Sequence, residues 1–202
     1  MDRRRARQEV RAGEVAAAGR GVDRAELARA IALDTIEAAA RCEVVLQVVV
    51  VSDDPALARE SATIPALRIV PEEDPRGLDA AIASGIEAVD PSGRMPRAAL
   101  LGDLPALRPV DLAGALRAAA SVDRAVVADA EGTGSTLVTA MPGVAWASSF
   151  GEGSFARHTA AGCAAVEIPD ASSLRRDVDT AAQLEAAVRL GVGPRTAALL
   201  GA

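Results

Sequence analysis

The sequence contains no lysine, no asparagine and no tyrosine, and all 22 of its basic residues are arginine. Together with the many alanines, this composition indicates the coding bias of a GC-rich genome, and we assign no function to the bias itself. The formal net charge is -6 and no long basic block occurs. This charge balance argues against nucleic acid as a main partner.

Long apolar runs are missing as well. No stretch approaches the roughly 18 apolar residues that a membrane span needs, so we expect no membrane partner. The opening segment, MDRRRARQEVRAGEV, lacks the apolar core of a secretion signal. The two cysteines, Cys42 and Cys163, are far apart without metal-type spacing, which favours reduced thiols in a cytoplasmic protein.

Half of the 202 residues are apolar and a quarter are charged, which suits one globular domain with a sizeable core. Apolar periodicity and capping signals predict helices at residues 22–42, 55–61, 77–89, 110–120, 154–161 and 179–190. Apolar, often β-branched runs predict strands at residues 44–52, 66–70, 97–101, 125–128, 136–140, 144–148 and 163–168. This alternation is the pattern of a three-layer α/β domain with a mostly parallel sheet.

An acidic residue follows one of these strands in the segment ALLGDLPALRP. Gly102 frees the backbone there, and Pro105 prevents continued pairing of the strand. Open α/β sheets bind ligands beyond the carboxyl ends of their strands, which makes Asp103 a candidate ligand-binding residue. The alternative is a turn aspartate that caps the helix starting near Pro109.

Two glycine-rich loops carry hydroxyl side chains. In DAEGTGSTL the glycines let backbone N–H groups turn toward an anion, and Thr136 can donate a hydrogen bond to phosphate or carboxylate oxygens. In FGEGSFARH, Gly151 and Gly153 precede a helix that Ser154 is expected to cap. The alternatives are a plain turn in the first loop and an ordinary helix cap in the second.

Two further aspartates lie in the segment LRRDVDT. Asp179 or Thr180 can cap the final helix, but Asp177 and Asp179 can also join Asp103 around one hard divalent cation. Mg²⁺ prefers one or two carboxylates together with substrate phosphates. We expect His158, the only histidine, at the surface or in contact with phosphate, and not as a general base.

The segments VVVVSDDP, LLGDLPAL, VVADAEGTGSTLV, FGEGSFARHTAAG, LRRDVDT and LGVGPRTAAL occur here in that order. In this combination the chain, from about Arg20 to its end, resembles the guanylyltransferases of deazaflavin coenzyme F-420 biosynthesis. The resemblance implies a Rossmann-like nucleotidyltransferase sheet of the glycosyltransferase-A type. It also implies transfer of GMP from GTP to phosphoenolpyruvate or 2-phospho-L-lactate, with release of pyrophosphate.

The resemblance also implies roles for particular residues. Asp103 would be a catalytic metal ligand for Mg²⁺, with Asp177 or Asp179 as its partner on the same ion. Two polyanions must meet for in-line displacement at the α-phosphorus, so a cation and hydrogen-bond donors are needed. The phosphate and carboxylate of the acceptor would be bound by Thr136, Gly151 and Ser154. Arginines that would add positive charge are Arg157, Arg175 and Arg176.

The chain departs from the family pattern at its start. Residues 1–19 form an atypical, charged segment in place of an apolar strand and a lysine-bearing triphosphate loop, so we expect a nucleotidyltransferase domain at residues 20–202 without its first, central strand. Asp79 stands where the family pattern has asparagine, which bears on contacts with the nucleotide base. The alternatives are a molybdopterin- or sugar-type nucleotidyltransferase and a binding remnant that lacks the triphosphate loop. The sequence leaves the oligomeric state open, a homodimer included.

Overall fold

The computed structural model describes residues 22–72 and 76–202, so the expectation for residues 1–19 lies outside the described part. Helices α1 to α7 span Arg24–Ala40, Pro55–Glu60, Leu78–Val89, Pro109–Ala119, Ser154–Ala160, Ala181–Leu190 and Pro194–Leu200. Strands β1 to β6 span Val48–Val51, Leu67–Val70, Arg97–Leu100, Arg124–Ala128, Ser135–Ala140 and Ala164–Ala165. Across these described residues, no helix is both long enough and apolar enough to cross a membrane.

The strands form two sheets in the described part of the chain. Strands β1 and β2 pair in parallel, and a second sheet has the order β3-β5-β4-β6. Strand β5 runs antiparallel to both β3 and β4, whereas β4 and β6 are parallel. The expectation of a mostly parallel sheet is therefore only partly correct. The short turn between β4 and β5 accounts for this, because parallel neighbours need a crossover of about a dozen residues or more.

Helices cover both faces of each sheet. In β1, Val48 packs toward α1, whereas Val51 lies on the opposite face against α3. Gly85 permits that approach, since an added Cβ would stand 3.0 Å from Cγ2 of Val51. In β4, Val127 joins the cluster that includes α4, and Val126 joins the cluster under α5. The result is a mixed α/β fold whose strands pack against helices on either side.

The local signals for helix ends are largely confirmed. Asp23 accepts a hydrogen bond from the Ala25 backbone N–H at the start of α1, as its position in the sequence predicts. At the start of α6 the structure contains a reciprocal capping box, in which the Thr180 and Gln183 side chains each bond the other's backbone N–H. Thr180 therefore takes the capping role that the sequence left open between Asp179 and Thr180.

The strand expected at residues 144–148 is wrong, because this segment has no regular secondary structure. Arginine side chains take the hydrogen bonds that a neighbouring strand would have made. Nη2 of Arg97 donates to the carbonyl oxygens of Met141 and Val144, at 3.0 and 2.6 Å. Nη2 of Arg124 donates to the carbonyl oxygen of Ala145 at 2.6 Å. The apolar composition of residues 144–148 gives no sign that arginine side chains compete with a neighbouring strand for these carbonyl oxygens.

A seventh helix, α7, follows the helix that the sequence indicated as the last. Its anchor is Asp34 of α1, a buried residue whose carboxylate accepts from the backbone N–H groups of Arg195 and Thr196, at 3.1 and 2.8 Å. A carboxylate at a helix start satisfies N–H groups that have no partner within the helix. Because 161 residues separate Asp34 from Arg195, this contact could not be inferred from local pattern.

We expect Thr35→Val to lower the free energy of unfolding by about 1–2 kcal/mol. The buried Thr35 hydroxyl donates to the Ile31 carbonyl oxygen and accepts from the backbone N–H of Leu104, at 3.1 Å. Valine keeps the shape and leaves that N–H unpaired. Denaturant unfolding measures the difference, with Thr35→Ser as the variant that keeps the hydroxyl. Equal stability of the valine variant and the unchanged protein would contradict the prediction.

Candidate active site

Asp103 lies just beyond β3, on a backbone that is fixed on both sides. Its carbonyl oxygen accepts from the Val178 N–H at 3.0 Å, and the next residue, Leu104, is bonded to Thr35 of α1. Within the described residues, the buried Oδ1 atom of Asp103 has no hydrogen-bond partner. Burial raises the pKa of Asp103 to about 6, and the charge of Asp179 adds to the effect. A cation bound beside Asp103 would therefore favour the charged form of this carboxylate.

Asp177 stands beside Asp103, in the segment whose next residue, Val178, bonds the Asp103 carbonyl. Its Oδ1 is also buried and lacks a hydrogen-bond partner in the described part of the molecule. Burial raises the pKa of Asp177 to about 7, and the charges of Asp103, Asp129 and Asp179 each contribute. Neighbouring carboxylates that raise each other's pKa form a negatively charged site. The structure therefore brings the three predicted aspartates into one electrostatic cluster.

Asp129 belongs to the same cluster, although the sequence interpretation did not select it. Among the described residues, carboxylate oxygens of Asp129, Glu131 and Asp177 lie within 4.8 Å of one another, close enough to share a metal ion. Asp129 is buried and directly follows β4. An aspartate at the end of an apolar strand was the signal that could have found it, as it found Asp103.

The glycine-rich turn after β4 is built around Asp129. Its two carboxylate oxygens accept from the N–H groups of Thr133 and Gly134, at 2.8 and 2.6 Å. A Cβ on Gly134 would come within 2.4 Å of the nearer carboxylate oxygen, so only glycine fits there. Arg175 donates from Nε and Nη2 to the Asp129 carbonyl oxygen. The turn that was expected to face an anion thus uses two N–H groups to hold its own carboxylate.

The residues expected to bind the acceptor lie on β5 and around the start of α5. Thr136 is fully buried, and its Oγ1 has no hydrogen-bond partner within residues 22–72 and 76–202. Ser154 is also buried, but it is the first residue of α5 and does not cap it. The cap position belongs to Gly153, at φ +71°, and Gly151 also has a positive φ of +105°. A bond from the Phe155 N–H to the Thr133 carbonyl oxygen joins the two loops.

The candidate arginines support loops. Arg157 donates to the side chain and carbonyl oxygen of Ser149 and to the carbonyl oxygens of Phe150 and Glu152. Arg176 donates to the carbonyl oxygen of Asp170. Together with the bonds of Arg175 to Asp129, these contacts engage each guanidinium with the protein. These hydrogen bonds fix the conformation of the loops and keep the three positive charges beside them.

One further expectation is revised by the structure, and the contacts of Asp79 become visible. His158 is buried, not at the surface, because its ring nitrogens bond Ser135 and the backbone of Ser149. Asp79 lies in the first turn of α3 and accepts from the Ser148 hydroxyl and the Phe150 N–H, at 2.7 and 3.1 Å. This carboxylate therefore fixes the loop that precedes α5.

The fold and site define a class: a mixed α/β protein with buried and half-buried carboxylates at the strand ends and a glycine-rich hydroxyl loop beside them. The family described as guanylyl transferase CofC like matches residues 14–200, and the chain belongs to this family.

Similar proteins cover most of the chain. A phosphoenolpyruvate guanylyltransferase of Thermomonospora curvata is 48% identical over 197 residues, covering 96% of this chain and 83% of that protein. Proteins of the same name from Salinispora arenicola and Streptomyces coelicolor are 48% and 47% identical, covering 87% and 86% of this chain and 80% and 82% of their own length.

Proposed function

We propose that this protein transfers the guanylyl group of GTP to phosphoenolpyruvate, or to 2-phospho-L-lactate, and releases pyrophosphate in coenzyme F-420 biosynthesis. The observation that carries the proposal is the pair of half-buried carboxylates, Asp103 and Asp177, each with a buried oxygen that lacks a hydrogen-bond partner in the described structure. Membership in the guanylyl transferase family gives that pair its chemical context. The name shared by its relatives favours phosphoenolpyruvate as the acceptor.

The donor set fits Mg²⁺. Asp103 and Asp177 offer hard oxygen atoms that lack hydrogen bonds, and Asp179 lies near enough to raise the pKa of both. Asp129 adds a fourth carboxylate, but its two oxygens already accept backbone hydrogen bonds. We therefore assign the ion to Asp103, with Asp177 or Asp179 as the second ligand, and keep Asp129 as a support. When bound, Mg²⁺ would neutralise phosphate charge at the reacting centre.

The chain's own groups would hold and orient the acceptor. The Thr136 hydroxyl has no hydrogen-bond partner among the described residues, so it would donate to an oxygen of the acceptor. The Ser154 hydroxyl and the Gly151 backbone N–H would donate to the other anionic group. An acceptor phosphate oxygen then forms a bond to the α-phosphorus of GTP as the bond to the departing pyrophosphate breaks. Because the attacking oxygen is already anionic, the step requires alignment and charge stabilisation, not a general base.

The finer fold class is part of the proposal. A three-layer, glycosyltransferase-A-type nucleotidyltransferase agrees with the helices on both faces of the sheets and with acidic residues at the strand ends. The described residues would then form the body of the expected domain at residues 20–202.

The test is pyrophosphate release by the purified full chain. We expect release when GTP, phosphoenolpyruvate and Mg²⁺ are all present, and none when the acceptor is omitted or a chelator is added. Parallel reactions contain 2-phospho-L-lactate, a sugar 1-phosphate or molybdopterin in place of phosphoenolpyruvate. Turnover with a sugar phosphate or molybdopterin alone would contradict the acceptor assignment. Binding of phosphoenolpyruvate without turnover would identify a binding remnant.

A further inference from the structure

His158 makes two directed hydrogen bonds from one buried ring. Nδ1 lies 3.0 Å from the Ser135 hydroxyl oxygen, and Nε2 accepts from the backbone N–H of Ser149 at 2.8 Å. A backbone N–H can only donate, so Nε2 carries no proton in this arrangement. Nδ1 therefore holds the proton and donates it to Ser135.

These two bonds connect the segments that carry the proposed acceptor contacts. Ser135 directly precedes Thr136 on β5, and Ser149 begins the loop that contains Gly151. Ser154 and His158 are four residues apart on α5, so they share one face of the helix. One imidazole ring thus links the strand, the loop and the helix at which Thr136, Gly151 and Ser154 lie.

The other groups around the loop do not make that link. Asp79 holds Ser148 and Phe150 from α3, and Arg157 bonds carbonyl oxygens within the loop itself. Neither is bonded to β5 in any contact of the described residues. Among the described residues, the His158 side chain is the one that hydrogen-bonds both the loop and β5, while Phe150 of the loop packs against the apolar cluster that includes Val138 of β5.

We infer that His158 is a positioning residue for the acceptor: its uncharged ring fixes the loop of residues 149–153 against β5, and protonation of Nε2 releases that loop. The inference rests on the proposed function, because the loop's importance follows from its acceptor contacts. A proton on Nε2 would point at the Ser149 N–H, and two donors cannot bond each other. The loop would then lose its hydrogen-bonded connection to the strand, while the apolar packing of Phe150 remains and Asp79 and Arg157 still hold the loop on the other side.

The surroundings favour the neutral ring. Burial lowers the pKa of His158, and the charge of Arg157 on the same helix lowers it further, whereas Asp79 on α3 opposes the change. The Phe150 ring packs edge-on against the imidazole, with centroids 5.2 Å apart. Cys163 bonds the His158 carbonyl oxygen through its N–H, and burial raises the pKa of its thiol, which keeps that neighbour uncharged too. The ring should therefore stay neutral at pH 7 and charge only below the ordinary range for histidine.

The test compares two amide substitutions of His158, each of which can replace one of the two hydrogen bonds that the ring makes. In His158→Gln the side-chain oxygen can accept from the Ser149 N–H without titrating, whereas His158→Asn reaches only the Ser135 side. Thr159→Ala is the control, because the Thr159 hydroxyl bonds carbonyl oxygens of its own helix and nothing in the loop. For each full-length variant we measure KM for phosphoenolpyruvate and for GTP at neutral pH, and amide hydrogen exchange of residues 149–154 across pH without substrate, expressed as protection relative to the intrinsic exchange rate.

We expect His158→Asn to raise KM for phosphoenolpyruvate about tenfold with little change in KM for GTP, since one hydrogen bond orients the loop. Exchange in residues 149–154 should quicken in the same variant. In the unchanged protein, the protection of residues 149–154 from exchange, corrected for the intrinsic pH dependence of exchange, should fall as pH drops below the ordinary histidine pKa, whereas in His158→Gln it should not. Equal effects of His158→Asn on KM for both substrates, or an acid loss of protection that persists in the glutamine variant, would overturn the inference. If the unchanged protein transfers no GMP, the proposed function fails, and exchange alone would then show whether the ring holds the loop.

Discussion

An Asp103→Asn variant should fold normally and lose turnover by about a hundredfold to a thousandfold, because it removes a charge that acts on the developing phosphates. Asparagine keeps the size of the side chain and can still offer a neutral oxygen. It cannot hold Mg²⁺ with the same strength, and the loss should appear mainly in kcat. Steady-state pyrophosphate release over a range of Mg²⁺ concentrations measures the change. A variant with unchanged kcat would return Asp103 to the role of a turn residue.

Although Asp103→Asn should lower turnover, we expect it to stabilise the folded protein when metal is absent. The pKa of Asp103 is raised from the ordinary 3.8 to about 6, so the folded state binds its proton more tightly than the unfolded state does. The stability associated with that proton is present below pH 3.8 and is lost as the pH rises through about 6. In a chelator, Asp103→Asn should therefore unfold at higher denaturant than the unchanged protein near neutral pH, with little difference in acid.

Asp123→Asn is the matched control for both measurements. Asp123 is exposed and lies before β4, at the end of that strand opposite to Asp129. The same isosteric loss of charge there should change neither turnover nor the pH dependence of unfolding. Reduced activity in both variants would point to net charge, and not to a metal at Asp103, as the cause.

The sequence predicted the elements better than their pairing. Alternating apolar runs placed most helices and strands within a few residues of their observed bounds, because burial and capping act locally. The direction of β5 depends on the turn around Asp129, which was interpreted as an anion-binding loop. The segment at 144–148 has the composition of a strand, yet distant arginines, Arg97 and Arg124, bond its carbonyl oxygens. Long-range side-chain bonds of this kind leave no periodic signal.

In the candidate site, too, the sequence predicted what depends on local position and missed what depends on long-range contacts. Asp103 was selected because it interrupts an apolar run at a position where such sheets bind ligands, and Asp177 because, with Asp179, it could join Asp103 around one divalent cation. Asp129 had an equally informative position after β4 but was overlooked beside the hydroxyl residues that follow it. The role of His158 could not be predicted, because it depends on Ser135 and Ser149, which only the folded chain brings to its ring.

Thr136→Val and Ser154→Ala should raise KM for phosphoenolpyruvate by about tenfold to a hundredfold and leave KM for GTP nearly unchanged. Each removes a hydroxyl that would donate to an anionic group, an interaction of about 1.5–3 kcal/mol. Comparing KM for the two substrates in both variants shows whether these loops contact the acceptor or the nucleotide. If KM for both substrates rises equally, these loops bind the nucleotide instead.

The threonine substitution has a control on the same strand. Thr139 is likewise buried on β5, and its hydroxyl, like that of Thr136, has no hydrogen-bond partner among the residues described. Valine at either position removes a buried unpaired hydroxyl, so both variants should be at least as stable as the unchanged protein. Only Thr136→Val should weaken the use of phosphoenolpyruvate, because we propose an acceptor contact for the hydroxyl of Thr136 and none for that of Thr139. A KM for phosphoenolpyruvate that rises equally in both would mean that β5 packing, and not a donor at Thr136, sets the acceptor affinity.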